Sequence, residues 1–211
     1  MHKTYDKEET ALSLDITFEV PTWDKIYGML LNLAEKITDD KFKPEIIVGI
    51  SRGGWPPARV MLDLLGNAKL ANVSVEFYKG IADATDEPIL TQPVSIPVEG
   101  CNVLLFDDVA DTGKSLRLAK NHLESKRART VKTATIYYKP WSILKPDYYE
   151  EKTRNWIVFP WERKETIRCL IENCRKEGIP IEKAKNRLAD GGMDKHLIDR
   201  FINEILKEEQ G

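Results

Sequence analysis

Val103-Leu104-Leu105-Phe106-Asp107-Asp108-Val109-Ala110-Asp111-Thr112-Gly113-Lys114-Ser115 passes from an unbroken apolar run, through two adjacent carboxylates, into a small polar turn. Four consecutive apolar residues, Val103 to Phe106, are the pattern of a strand buried on both faces. A helix is predicted to open at Gly113 and run to about Ser125. The turn between them offers main-chain N–H groups, the Thr112 and Ser115 hydroxyls and a helix N-terminus, which together suit a phosphate monoester dianion. Asp107 and Asp108, just upstream, can hold sugar hydroxyls or a hydrated Mg²⁺. Gly113-Lys114-Ser115 is also the tail of a nucleoside-triphosphate-binding loop. That loop requires a glycine where Asp108 stands, so this reading fails.

Working outward, the same alternation repeats. Pro44 precedes the apolar run Ile46 to Ile50, which is followed by Ser51-Arg52-Gly53-Gly54, a helix through Val60 to Leu65 and a strand near Val73 to Tyr78. Val131 to Tyr138 forms the strand after the central helix. Strands alternating with helices predict an α/β fold with a parallel sheet covered on both sides, whose binding crevice lies at the carboxyl ends of the strands. Nearer the N-terminus, Leu14, Ile16, Phe18 and Val20 alternate with polar residues as in a half-buried strand. Thr22 is placed to cap a helix in which Trp23, Ile26, Tyr27, Leu30, Leu33, Ala34 and Ile37 recur at helical spacing. Gly80 to Gln92 is polar without either period, as expected of a mobile loop.

Beyond Glu165 the texture changes to three helical stretches, Glu165–Arg175, Ile181–Ala189 and Met193–Glu208, with Gly191-Gly192 as a stop between the last two. Leu197, Ile198, Phe201, Ile202, Ile205 and Leu206 make one apolar stripe on the final helix. The expected organisation is therefore an α/β domain over 1–164 and a C-terminal three-helix bundle over 165–211.

Composition sets the outer limits. With 211 residues, 42% hydrophobic and 31% charged, the chain has the make-up of a folded globular protein rather than a disordered one. A net charge of −2 offers no general positive field for nucleic acid, so phosphate recognition has to be local. Cys101, Cys169 and Cys174 contain no C-x-x-C pair, which argues against a disulfide framework or a zinc site and for a reducing, cytoplasmic setting. Met1 to Thr10 lacks the apolar core of a signal peptide, and no apolar run approaches the roughly 18 residues needed to span a bilayer. Neither a membrane nor a nucleic acid is an expected partner.

The segment from Val103 to Ser115 closely resembles the motif by which type I phosphoribosyltransferases bind 5-phosphoribosyl-1-pyrophosphate (PRPP), and the likeness extends through most of residues 14 to 165. The resemblance implies that Asp111 to Ser115 hold the 5′-phosphate and that Asp107 and Asp108 bind the ribose hydroxyls, directly or through Mg²⁺. It makes Asp111 the general acid/base toward the purine imidazole. Ser51-Arg52-Gly53-Gly54 resembles the family's pyrophosphate loop, and Tyr78-Lys79 opens a stretch like its closing loop. Lys139, Trp156 and Ile157 occupy the positions that recognise the base in 6-oxopurine enzymes, and Glu162 matches an acidic position that touches the second metal or pyrophosphate. A homodimer is common in the family. Asp111 and Lys139 fit hypoxanthine, guanine or xanthine. The full length, with its helical extension, resembles instead the archaeal adenine phosphoribosyltransferase built on a 6-oxopurine-type fold, so adenine is the base expected. A regulator that senses PRPP and binds nucleic acid is disfavoured by the near-neutral C-terminal helices.

Overall fold

The computed structural model describes residues 17–77 and 87–209. In chain order these form β1 (Phe18–Glu19), α1 (Trp23–Asp39), β2 (Ile46–Ser51), α2 (Trp55–Leu65), β3 (Lys69–Phe77), β4 (Pro88–Gln92), β5 (Asn102–Ala110), α3 (Lys114–Ser125), β6 (Thr130–Tyr138), β7 (Tyr148–Lys152), β8 (Trp156–Ile157), α4 (Arg163–Glu177), α5 (Ile181–Asp190) and α6 (Lys195–Glu208). Contacts divide the chain into two compact units, Ile26–Arg154 and a discontinuous one made of Met1–Lys25 with Asn155–Gly211. This division differs from the boundary expected at 164/165: Trp156 to Glu162 group with the helices.

In the first unit a six-stranded sheet has the order β4-β3-β2-β5-β6-β7. All neighbours are parallel except β3 and β4, which pair antiparallel. The two apolar runs read from the sequence lie side by side at its centre, and Ile47, Val48 and Val103 to Phe106 are fully buried. Ile46, Val48 and Ile50 share one face with Val103 and Leu105, packed with Leu116, Ala119 and Leu123 of α3, as the two-residue period of a strand requires. Two edge strands escape the sequence reading. The loop expected over Gly80–Gln92 contains β4, and β7 was not foreseen. Thr22 does cap α1, its Oγ1 accepting from the Lys25 N–H at 3.1 Å. The helix buries Ile26, Met29, Leu30, Leu33, Ala34 and Ile37 but leaves Trp23 and Tyr27 exposed.

The second unit pairs β1 with β8 in parallel and packs Phe18, Val20 and Val158 with the apolar stripes of α4, α5 and α6. The three expected helices are present. The last starts at Lys195 rather than Met193, because the Asp194 carboxylate accepts from the Leu197 N–H at 2.9 Å and caps it. Of its stripe Ile198, Ile202 and Ile205 are buried, and Phe201 and Leu206 pack partly against them. No helix among the described residues is long and apolar enough to cross a membrane. Of the strand read from Leu14 to Val20, only Phe18–Glu19 is one of the assigned strands, and residues before 17 lie outside the described residues.

Candidate active site

Parallel pairing from Ile46↔Val103 to Gly49↔Phe106 brings the carboxyl ends of β2 and β5 together. They are neighbours in the sheet but not in sequence, with β3 on the far side of β2 and β6 on the far side of β5. The strand order reverses direction there, which is where open α/β sheets form their crevice. Ser51-Arg52-Gly53-Gly54 leaves β2 and Asp107 to Asp111 ends β5, so the structure unites the two motifs that the sequence separates by some fifty residues.

The contact is close. A Cβ on Gly53 would lie 2.1 Å from Asp108 Oδ2, and one on Gly54 would lie 2.4 Å from the Phe106 carbonyl oxygen. Only glycine permits that approach. The Gly54 N–H donates to the Ile50 carbonyl at 2.8 Å, which folds the loop back on β2, and the Ser51–Arg52 peptide bond is cis.

Asp107 Oδ1 accepts the Asp108 N–H at 3.0 Å and Asp108 Oδ1 the Val109 N–H at 2.8 Å. Burial first, and then the negative Asp108 beside it, push the Asp107 carboxyl well above the ordinary carboxylate range. Adjacent enclosed carboxylates of this kind suit a bound cation. Their oxygen donors fit Mg²⁺, and among the described residues no three His, Cys, Asp or Glu side chains gather into a metal cage. A metal here would share its coordination with substrate oxygens, as Mg²⁺ commonly does.

Beyond the carboxylates the turn tightens. Gly113 has φ 75°, in the left-handed region, and a Cβ there would meet Ser142 Oγ at 2.4 Å and the Leu144 nitrogen at 2.9 Å. No side chain caps the first turn of α3, which leaves the helix N-terminus suited to an anion. Thr112 Oγ1 accepts from the Lys114 N–H at 3.4 Å, and Lys114 Nζ pairs with Glu87 at 2.8 Å.

Lys139, one residue past β6, is buried, and its N–H donates to the Ala110 carbonyl at 3.0 Å. Its ammonium lies 5.7 Å from the centre of the Trp141 ring, and the Trp141 indole N–H donates to Asp111 Oδ1 at 3.0 Å. Lys139 and Asp111, read from the sequence as base-recognising and acid/base residues, therefore both border a tryptophan that sequence reasoning passed over. The signal was present in Lys139-Pro140-Trp141, directly after a strand ending at the crevice.

The remaining residues belong to the other unit. Trp156 is partly exposed and its N–H donates to Thr17, while Ile157 is buried. Glu162, read as a metal contact, has Oε1 accepting the Phe159 N–H at 3.2 Å, which closes the turn into α4. Trp161, also missed, stacks on Phe159 with ring centres 4.9 Å apart and tilts against Trp23 at 5.6 Å. Tyr78 and Lys79 lie outside the described residues.

Residues 22–165 match the family model for the phosphoribosyl transferase domain. The xanthine-guanine phosphoribosyltransferase of Gluconobacter oxydans is 28% identical over 149 residues, 70% of this chain and 86% of its own length. The enzyme of that name from Cereibacter sphaeroides is 30% identical over 146 residues, 67% of this chain and 84% of its own. The crystal structure of a purine phosphoribosyltransferase from Pyrococcus horikoshii superposes with a TM-score of 0.62 at 36% identity, covering 68% of this chain and 93% of that one.

Proposed function

The chain belongs to the phosphoribosyl transferase domain family and is a purine phosphoribosyltransferase, and from that premise we propose that it joins the phosphoribosyl group of PRPP to a 6-oxopurine, releasing pyrophosphate. The observation that carries the choice of base is Lys139, buried and fixed beside Ala110 at the crevice. An ammonium has only donors to offer, so it suits a carbonyl oxygen at purine C6 and conflicts with an exocyclic amine there. The xanthine-guanine relatives support this alternative better than the adenine expected from the full-length resemblance.

Each residue has a defined task in this reading. Arg52 and the main chain of Gly53-Gly54 hold pyrophosphate, and Thr112 to Ser115 hold the 5′-phosphate. Asp107 and Asp108 would bind the ribose hydroxyls and Mg²⁺, which supplies charge neutralisation for the pyrophosphate. As the ribose carbon gains oxocarbenium character the protein contributes position and electrostatics rather than covalent chemistry. Asp111 exchanges a proton with the imidazole nitrogens of the base. Trp156 and Ile157 supply the ring platform and main-chain reading of the base, Tyr78 and Lys79 begin the loop that closes over PRPP, and the protein works as a homodimer in the cytoplasm.

Adenine remains as a second reading because the Lys139 ammonium is turned over the Trp141 ring, and because α5 and α6 lie beyond the family match. Supplying purified protein with PRPP, Mg²⁺ and each purine in turn decides between them. Turnover with guanine, hypoxanthine or xanthine is expected. Turnover with adenine alone overturns the assignment of Lys139, and PRPP binding without turnover on any base favours a regulator.

A further inference from the structure

We propose that Trp141 is a positioning residue for proton transfer to the purine, its indole N–H holding the Asp111 carboxylate by one oxygen so that the other is presented to the base. The proposal rests on the reading of Asp111 as the general acid/base.

Asp111 is half-buried at the start of the phosphate turn, where a free aspartate side chain would sample several rotamers. The 3.0 Å bond from Trp141 Nε1 ties down Oδ1. Oδ2 is then directed by the plane of the carboxylate rather than by its own rotation. An indole is well suited to this task. It donates one hydrogen bond, accepts none and brings no charge of its own, so it orients the carboxylate by geometry alone.

The tryptophan is itself fixed. Along one side of it the Lys139 N–H bonds to the Ala110 carbonyl at 3.0 Å, and beyond it the Ile143 N–H bonds to the Thr112 carbonyl at 2.9 Å. The segment carrying Trp141 is thus laced to both flanks of Asp111. Within that segment the Ser142 N–H turns back to the Lys139 carbonyl at 3.1 Å, and the Lys139 ammonium sits against the ring. Core packing does not account for the residue, because 50% of it is exposed. A large aromatic side chain left half in water, with its one donor aimed at a reacting carboxylate, is placed for that contact.

Trp141→Phe keeps a ring over Lys139 and deletes the N–H. Its expected effect is a fall of about ten- to a hundredfold in kcat, with KM for PRPP and for the base within about twofold and the melting temperature unchanged. Asp111→Asn should lose at least as much, and the double variant no more than Asp111→Asn alone, because Trp141 acts through that carboxylate. An unchanged kcat, a rise confined to KM, or losses that multiply in the double variant would each overturn the role of Trp141. Near-normal kcat in Asp111→Asn alone would instead show that the reading of Asp111 had failed, and the proposal with it.

Discussion

The two units hold their charges in opposite ways. In Ile26–Arg154 the charged groups of the site are enclosed: Asp108 and Lys139 are among the few buried polar residues, and Asp107 is pushed toward the protonated form. In the helical unit the charges lie outside. Lys164 bridges Glu204 and Glu208, Arg168 reaches Glu208, Arg175 grips Glu209 with both terminal nitrogens, and Lys185 meets Asp199. Glu204, Glu208 and Glu209 are held below the ordinary carboxylate range by the cations bonded to them. One unit thus encloses adjacent acids at the crevice, where a bound cation can join them. The other pairs Asp199, Glu204, Glu208 and Glu209 from its own sequence and uses the pairs to tie helix to helix.

Gly53→Ala is the harshest test of that contrast. Its new methyl would fall on Asp108 Oδ2, and displacing the two loops should lower kcat/KM by about a hundredfold or more. Gly28→Ala, in α1 with nothing within 4 Å of the added carbon, should instead leave kcat/KM intact and gain up to about 1 kcal/mol from helix propensity. Equal losses in the two variants would mean that the tight approach is incidental.

Asp107→Asn sharpens the electrostatic half. A carboxyl raised in the folded state contributes stability below its unfolded pKa and loses it as pH rises through the folded value. Above that unfolded pKa the ligand-free protein therefore bears a cost at Asp107 that the asparagine removes. Near neutral pH its melting temperature should exceed the parent's by about 2–4 °C while turnover is lost, and the gain should vanish only as pH falls to about 4, the ordinary aspartate value. A difference independent of pH would deny that burial and Asp108 raise the Asp107 carboxyl.

Glu208→Gln should have the smallest effect. A depressed carboxylate contributes stability above its unfolded pKa and loses it as pH falls through the folded one. Near neutral pH the variant should melt slightly below the parent, and 1 M salt should erase the gap because the pair is exposed and screened. A gap that persists in salt would show the network to be more than a surface tie.

The parts legible in the sequence were those under a single strong local constraint. Val103 to Phe106 had to be a doubly buried strand, Asp111 to Gly113 its link to a helix, and the Ile198, Ile202 and Ile205 stripe a packed helix face. The missed strands lie at sheet edges. β4 only partly covers Pro88 and Leu90 and exposes the apolar Ile89, and β7 places Tyr148 and Tyr149 beside Glu150, Glu151 and Lys152, so neither sequence shows a clear apolar–polar alternation. Trp141 was marked by its place after a strand at the crevice, but its role was not. Its meaning is the bond to Asp111, thirty residues away in sequence, and no local period encodes a contact of that kind.

The pairing of Phe18 with Trp156 also orders events during synthesis. The sheet-bearing unit is continuous from Ile26 to Arg154 and can close while the chain is still being made. Phe18 and Val20, made before it, find their companions only when Val158 to Ile205 have emerged. At ~5–20 residues per second that wait is on the order of ten seconds, during which the leading strand of the finished protein is an apolar segment without a home.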